Sequence, residues 1–144
     1  MNEQLLVDFL NRRATATGLG AALVAARLEP DTPNYRTTGN YRVTPIREPV
    51  QITPAHMEEL VRAVEAGALT EEQVGIAAFL MEAQPDRFIW DTDTPEGERV
   101  ADVLFWLGNP SINYPLTQAN LAAFRQYLRT GEPFTDERSR GAGA

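Results

Sequence analysis

The chain has no lysine and no cysteine, and its single histidine is His56; all 13 basic residues are arginine. Without lysine there is no Schiff-base residue, no P-loop lysine to cradle a phosphate and no lysine general base. Without cysteine there is no thiolate nucleophile, no disulfide and no thiolate-bound zinc. One histidine cannot complete a tetrahedral nitrogen–sulfur metal site within one chain. Positive charge is also scarce, with 13 arginines against 20 acids and a net charge of −7. That balance repels a phosphate backbone, and it suits a solvated surface or a basic protein partner reached by electrostatic steering. No catalytic, cofactor-binding or metal-ligating residue is therefore expected.

No apolar run approaches the ~20 residues that cross a bilayer. Arg12-Arg13 ahead of Leu19 to Ala26, with Val24-Ala25-Ala26 as a cleavage-like triplet, has the outline of a signal peptide. Glu3 and Asp8 cancel the two arginines, and an amphipathic segment comes first, so the run reads as a buried helix instead. The expected location is the cytoplasm, or the virion if the chain is phage-encoded, with no membrane and no nucleic acid as partner.

At 144 residues the chain reads as one helical domain over 1–134, followed by a flexible polar tail over 135–144. Leu5, Leu6, Phe9 and Leu10 form a stripe that predicts a first helix of about three turns, interrupted by Gly18 and Gly20. Leu19 to Leu28 predicts a short helix that is apolar nearly all round, hence buried on several sides, and ended by Pro30. Gly18-Leu19-Gly20 lacks the third glycine of a dinucleotide fingerprint, and Leu23 stands in its place.

Residues 29–52 differ in kind. Pro30, Pro33, Pro45 and Pro49 punctuate them, helical periodicity is missing, and Asn34-Tyr35-Arg36-Thr37-Thr38-Gly39 is nearly repeated by Asn40-Tyr41-Arg42-Val43-Thr44-Pro45. The segment reads as a long irregular arm, with Gly39-Asn40 able to turn a small hairpin. A connection of this length without strong structure is uncommon in a compact domain and tends to be functional or partner-bound.

From Ile52 onward the helix signals agree with one another. Thr53-Pro54 starts a helix with Met57, Leu60, Val61 and Val64 as its stripe, Ile52 and Met57 as its staple and Gly67 as its stop. Thr70 with Gln73 forms a capping box, stapled by Leu69 and Val74, and opens a helix whose apolar faces carry Val74, Ala77, Ala78 and Met81 beside Ile76 and Leu80. The short link between the two implies an antiparallel hairpin. Thr94-Pro95 opens a helix striped by Val100, Val103, Leu104 and Leu107, and Thr117 opens one striped by Leu121, Phe124 and Leu128. The fold expected is all-α, a bundle of five to six helices with an arm between the second and third.

The run from Ile52-Thr-Pro-Ala-His-Met through Gly67-Ala-Leu-Thr70-Glu-Glu-Gln73-Val to Met81-Glu-Ala resembles a known helical hairpin. It opens the N-terminal helical domain of anthranilate phosphoribosyltransferase and of pyrimidine-nucleoside phosphorylases. Thr94-Pro95-Glu96 leading to Val100-Ala101 is similar to the third helix of that domain, so the likeness spans residues 52–107. It implies a helical domain that packs subunits together and borders an active site. The phosphate-binding glycine loop and the α/β body have no counterpart here, so transferase activity does not follow.

Several local patterns invite a site. Asp91-Thr-Asp93-Thr with Glu96 and Asp102 has the look of a calcium loop, yet Pro95 and Glu96 stand where an oxygen ligand and a glycine are needed, and a helix cap explains the acids better. His56 sits in the first turn of a helix, and neither Ser111 nor Ser139 lies in a nucleophile elbow, so it reads as a surface histidine. Paired carboxylates could do acid–base work, but none lies in a recognisable signature.

Interface anchors are the stronger signal. Tyr, Trp and Arg most often anchor protein contacts. The arm carries Tyr35, Arg36, Tyr41, Arg42 and Arg47, and a second candidate, Arg87-Phe88-Ile89-Trp90, lies outside any clear helix. For the latter, burial of Phe88 and Trp90 in the core is the alternative. The function expected is a non-enzymatic interaction subunit of a homo-oligomer or larger assembly, a phage virion component among them. An acidic inhibitor or immunity-type protein and a carboxylate-dependent enzyme are the alternatives.

Overall fold

Five of the six helices in the described part of this computed structural model, residues 1–27, 37–38 and 41–133, begin at a threonine. Each hydroxyl accepts from the backbone N–H three residues on: Thr15 from Gly18, Thr53 from His56, Thr70 from Gln73, Thr94 from Gly97 and Thr117 from Asn120. Asn2 caps the remaining one. Such caps satisfy N–H groups that a helix start leaves without partners. The helices are α1 (Glu3–Leu10), α2 (Ala16–Ala25), α3 (Pro54–Glu65), α4 (Glu71–Glu82), α5 (Pro95–Gly108) and α6 (Gln118–Thr130). Gly67 and Gly131, with φ of +74° and +73°, take the left-handed turn after α3 and α6 that a side chain would resist.

The apolar stripes of α3 to α6 lie inward as their spacing requires. Met57, Leu60, Val61, Val74, Leu80, Val100, Leu104 and Phe124 are fully buried, and both staples, Ile52 with Met57 and Leu69 with Val74, close into the same core. Helices α3 and α4 follow each other through a short link, but α3 packs chiefly on α6 and α4 chiefly on α5. Helix α4 also packs on α2, and α1 rests on α2 and α3.

The N-terminal helices depart from expectation. The break falls before the glycines, at Arg12, whose φ is +63°, and Thr15 then starts α2 with Gly18 and Gly20 inside it. Gly20 is there for close packing: a Cβ at this position would come within 2.9 Å of the Gln73 side chain on α4. Burial of α2 is one-sided, with Leu19 and Leu23 buried while Val24 is 45% exposed.

The fold is mostly helical rather than strictly all-α. Strands β1 (Thr37–Thr38) and β2 (Tyr41–Arg42) pair antiparallel across residues 39–40, the place the glycine–asparagine turn signal indicated. Strands β3 (Val50–Gln51) and β4 (Phe88–Ile89) pair in parallel. The arm is thus not irregular from Tyr41 onward. Val43, Ile46 and Ile52 are buried, the Arg42 N–H donates to the Ala26 carbonyl, and the Thr44 N–H donates to that of Met1. Apolar residues spaced three and six apart escape a test for helix or strand period, yet they anchor this segment to α1 and α3. Residues 28–36, 39–40 and the tail from 134 lie outside the described residues.

Candidate functional site

The residues singled out as anchors separate into different environments. Phe88 is 1% exposed and packs in the core, so it is a core residue and not a contact residue. Arg87 is also committed inward: its Nε and Nη2 donate to the two carboxylate oxygens of Glu3 at 2.7 and 2.9 Å. Trp90 is half-buried against the core, while Ile89 between them points outward. Arg42 and Arg47 are exposed, and Tyr35 and Arg36 lie outside the described residues.

Tyr41 leads to the candidate site. Its ring lies 5.7 Å from that of Phe79 on α4, and Arg27, paired with Glu72, sits beside its hydroxyl. Phe79 is 43% exposed although it stands in the middle of a helix packed on two sides. The reason is its angular position. Val74, Ala77, Ala78 and Met81 take the inward face, and Phe79 falls with Gly75 and Glu82 on the opposite one.

Between that outer face of α4 and the C-terminal end of α5 runs a cleft of about 310 Å³, lined by Gly75, Phe79, Glu82, Ala83, Gly108 and Asn109. Its floor is made of small residues and its wall is aromatic. Phe105, one turn before Gly108 and Asn109 on α5, is 44% exposed. Gly75 is informative because the fold does not require it. A Cβ there would meet nothing within 4 Å, and a glycine inside a helix costs roughly 0.5–1 kcal/mol relative to alanine. What the glycine does supply is open space in the cleft. Glu82 makes no ion pair or hydrogen bond among the described residues, and partial burial pushes its pKa above the usual carboxylate range.

A second cleft, of about 610 Å³, lies between the start of α1 and the segment 44–50, with Asn2, Gln4, Thr44, Arg47 and Glu48 among its lining. It brings Arg47 to a concave surface, but no large apolar side chain is left exposed there. Val7 and Ile46 on its walls are already 6% and 7% exposed. The α4–α5 cleft is therefore the stronger candidate, because an exposed aromatic side chain lines it.

The remaining sequence candidates are structural. Thr94 Oγ1 donates to the Asp91 carbonyl at 2.6 Å and caps α5, so the acidic loop is a helix-start device. Gly97 permits this, since a Cβ on it would lie 1.8 Å from the Asp91 carbonyl oxygen. His56 is half-buried rather than on the open surface: its Nδ1 accepts from the Thr53 N–H at 3.1 Å, completing a capping box normally closed by glutamate or glutamine. Among the described residues no group of three His, Asp or Glu side chains is placed to hold a metal ion, and no helix is long and apolar enough to cross a membrane.

Sequence reasoning missed Phe79 and Gly75 as site residues, and Phe105 as an exposed aromatic one turn before the cleft-lining Gly108. The available signal was their exclusion: each falls off the apolar stripe of its own helix, and two are aromatic. No family model, curated protein or solved structure matches this chain.

Proposed function

We propose that the chain is a protein-interaction subunit that docks onto another protein through the α4–α5 cleft. The observation that carries this is Phe79, an exposed aromatic beside a glycine floor that the fold itself does not need. Exposed apolar surface of this kind is characteristic of contact sites, and aromatic side chains anchor them. Tyr41 extends the aromatic surface from the hairpin, which links the arm to the docking face. The resemblance of residues 52–107 to a subunit-packing helical domain points the same way. A virion subunit is one assembly that such a surface would serve.

Quantitative capture from the source cells tests the proposal. Wild-type chain, Gly75→Gln and Arg62→Ala serve as baits; Arg62 is exposed and lies away from the cleft lining. The expected result is one protein held at fixed stoichiometry by wild type and Arg62→Ala, and lost with Gly75→Gln. Equal retention of that protein by all three baits would overturn docking at this cleft.

A further inference from the structure

We infer that the α4–α5 cleft accepts a cationic side chain of the partner, an arginine or lysine carried beside an apolar residue, with Glu82 as its counter-ion and Phe79 as its wall. This rests on the docking reading above and adds the chemistry of the partner to it.

Charge complementarity carries the assignment. Of the three exposed acids on α4, Glu71, Glu72 and Glu82, only Glu82 lines the cleft. Glu72 is already held by Arg27, whereas Glu82 has no partner among the described residues. Among the described residues no arginine lines the cleft. A carboxylate that has no counter-ion and stands beside an aromatic side chain attracts a cation.

Approach to Glu82 is open. Gly108 lets α5 pack close to α4, since a Cβ there would stand 3.3 Å from the Ala78 Cβ, and it would also reach contact distance, 3.7 Å, of Glu82 Oε1. Asn109, which donates its amide N–H to the Phe105 carbonyl at 3.0 Å, keeps its side-chain oxygen as a further acceptor on the lining. Phe79 lines the same cleft, and a guanidinium or ammonium over an aromatic face is attracted by its quadrupole. The pattern of one carboxylate, one aromatic wall and a small-residue floor suits a single cation flanked by apolar atoms. An anionic segment would meet the unpaired carboxylate and a chain of net charge −7.

The test is a titration of ¹⁵N-labelled full chain with phenethylguanidinium, which carries a guanidinium beside an aromatic ring. Phenethyl alcohol and 3-phenylpropionate are the neutral and anionic controls. The expected result is saturable movement of the Gly75, Phe79, Glu82, Ala83 and Gly108 amide signals with the cation. Binding should be weaker by about fivefold with the alcohol and with Glu82→Gln, and weaker still with the propionate. Glu82 is exposed as a residue, so the variant is expected to keep the wild-type spectrum away from the cleft. If the alcohol or propionate binds at the cleft as tightly as the cation, or Glu82→Gln binds the cation unchanged, the cation assignment is overturned and apolar docking stands. If no probe gives saturable movement there, the cation assignment is overturned as well. The docking reading then stands or falls separately, on the loss of the captured protein with Gly75→Gln.

Discussion

Glu3 and Arg87, 84 positions apart in the chain, form a two-pronged ion pair around a carboxylate with no solvent exposure. The same Glu3 carboxylate accepts the Ile46 N–H at 3.1 Å. One buried group therefore ties α1, the arm and the segment leading into β4. Removing one member of a buried pair leaves the other charge uncompensated, at a cost of roughly 3–5 kcal/mol. Arg87→Met is expected to destabilise the chain by about that amount. Glu3→Met combined with Arg87→Met should recover a large part, because no charge is then stranded. Urea denaturation midpoints of both variants check this, and equal losses in the two would contradict the pairing.

The caps and stripes of α3 to α6 were legible because each is local: a threonine, a residue three on and an apolar period lie within one short window. The Glu3–Arg87 pair was not legible, since nothing near either residue marks its partner. The glycines of α2 misled for a related reason. Gly20 reads as a break until Gln73, 53 positions further on, is placed against it. The arm misled because its burial depends on three isolated apolar residues, Val43, Ile46 and Ile52, entering a core built largely by other segments. The cleft lies between the outer face of α4 and the end of α5, and a sequence shows only that Phe79 is left over from its stripe.

The two contrasting glycines should respond with opposite signs. Gly97→Ala places a Cβ 1.8 Å from a backbone oxygen and is expected to destabilise by roughly 1–3 kcal/mol through overpacking. Gly75→Ala adds a methyl where nothing lies within 4 Å and should stabilise by roughly 0.5–1 kcal/mol. Thermal melts of the two variants decide the matter. A loss of stability in Gly75→Ala would mean that the position is packed.

His56 makes stability depend on pH. Its Nδ1 accepts from Thr53 and its Nε2 lies 3.0 Å from Asn11 Oδ1, so the ring is neutral with its proton on Nε2. Burial lowers its pKa below the usual value, with Glu59 partly opposing. The unfolded chain therefore takes up the proton first as pH falls. This contribution is complete above the unfolded pKa of about 6.5 and is lost as pH falls through that value toward the lower folded one. Glutamine can close the same capping box without titrating. The difference in midpoint between wild type and His56→Gln should thus shift against wild type on acidification below about pH 6.5. A difference independent of pH would remove His56 from this role.

The arm from Tyr41 onward should exchange its amides slowly. Thr44 donates to the Met1 carbonyl, Val50 to that of Arg87 and Ile52 to that of Ile89, at 2.8 Å in each case. Hydrogen exchange on the isolated chain is expected to show protection at these three positions. Exchange at the unprotected rate would restore the segment to a loose arm.

Docking at the α4–α5 cleft is tested most directly by a photo-reactive benzoylphenylalanine placed at position 79 and, as a control, at position 62, in the cells that make the chain. Both side chains are exposed, but only Phe79 lines the cleft. The expected outcome is one discrete adduct with a single protein from position 79, none from position 62, and loss of that adduct when Gly75→Gln fills the floor. Labelling at position 62 of the same protein to the same extent, or an adduct indifferent to Gly75→Gln, would contradict docking at this cleft.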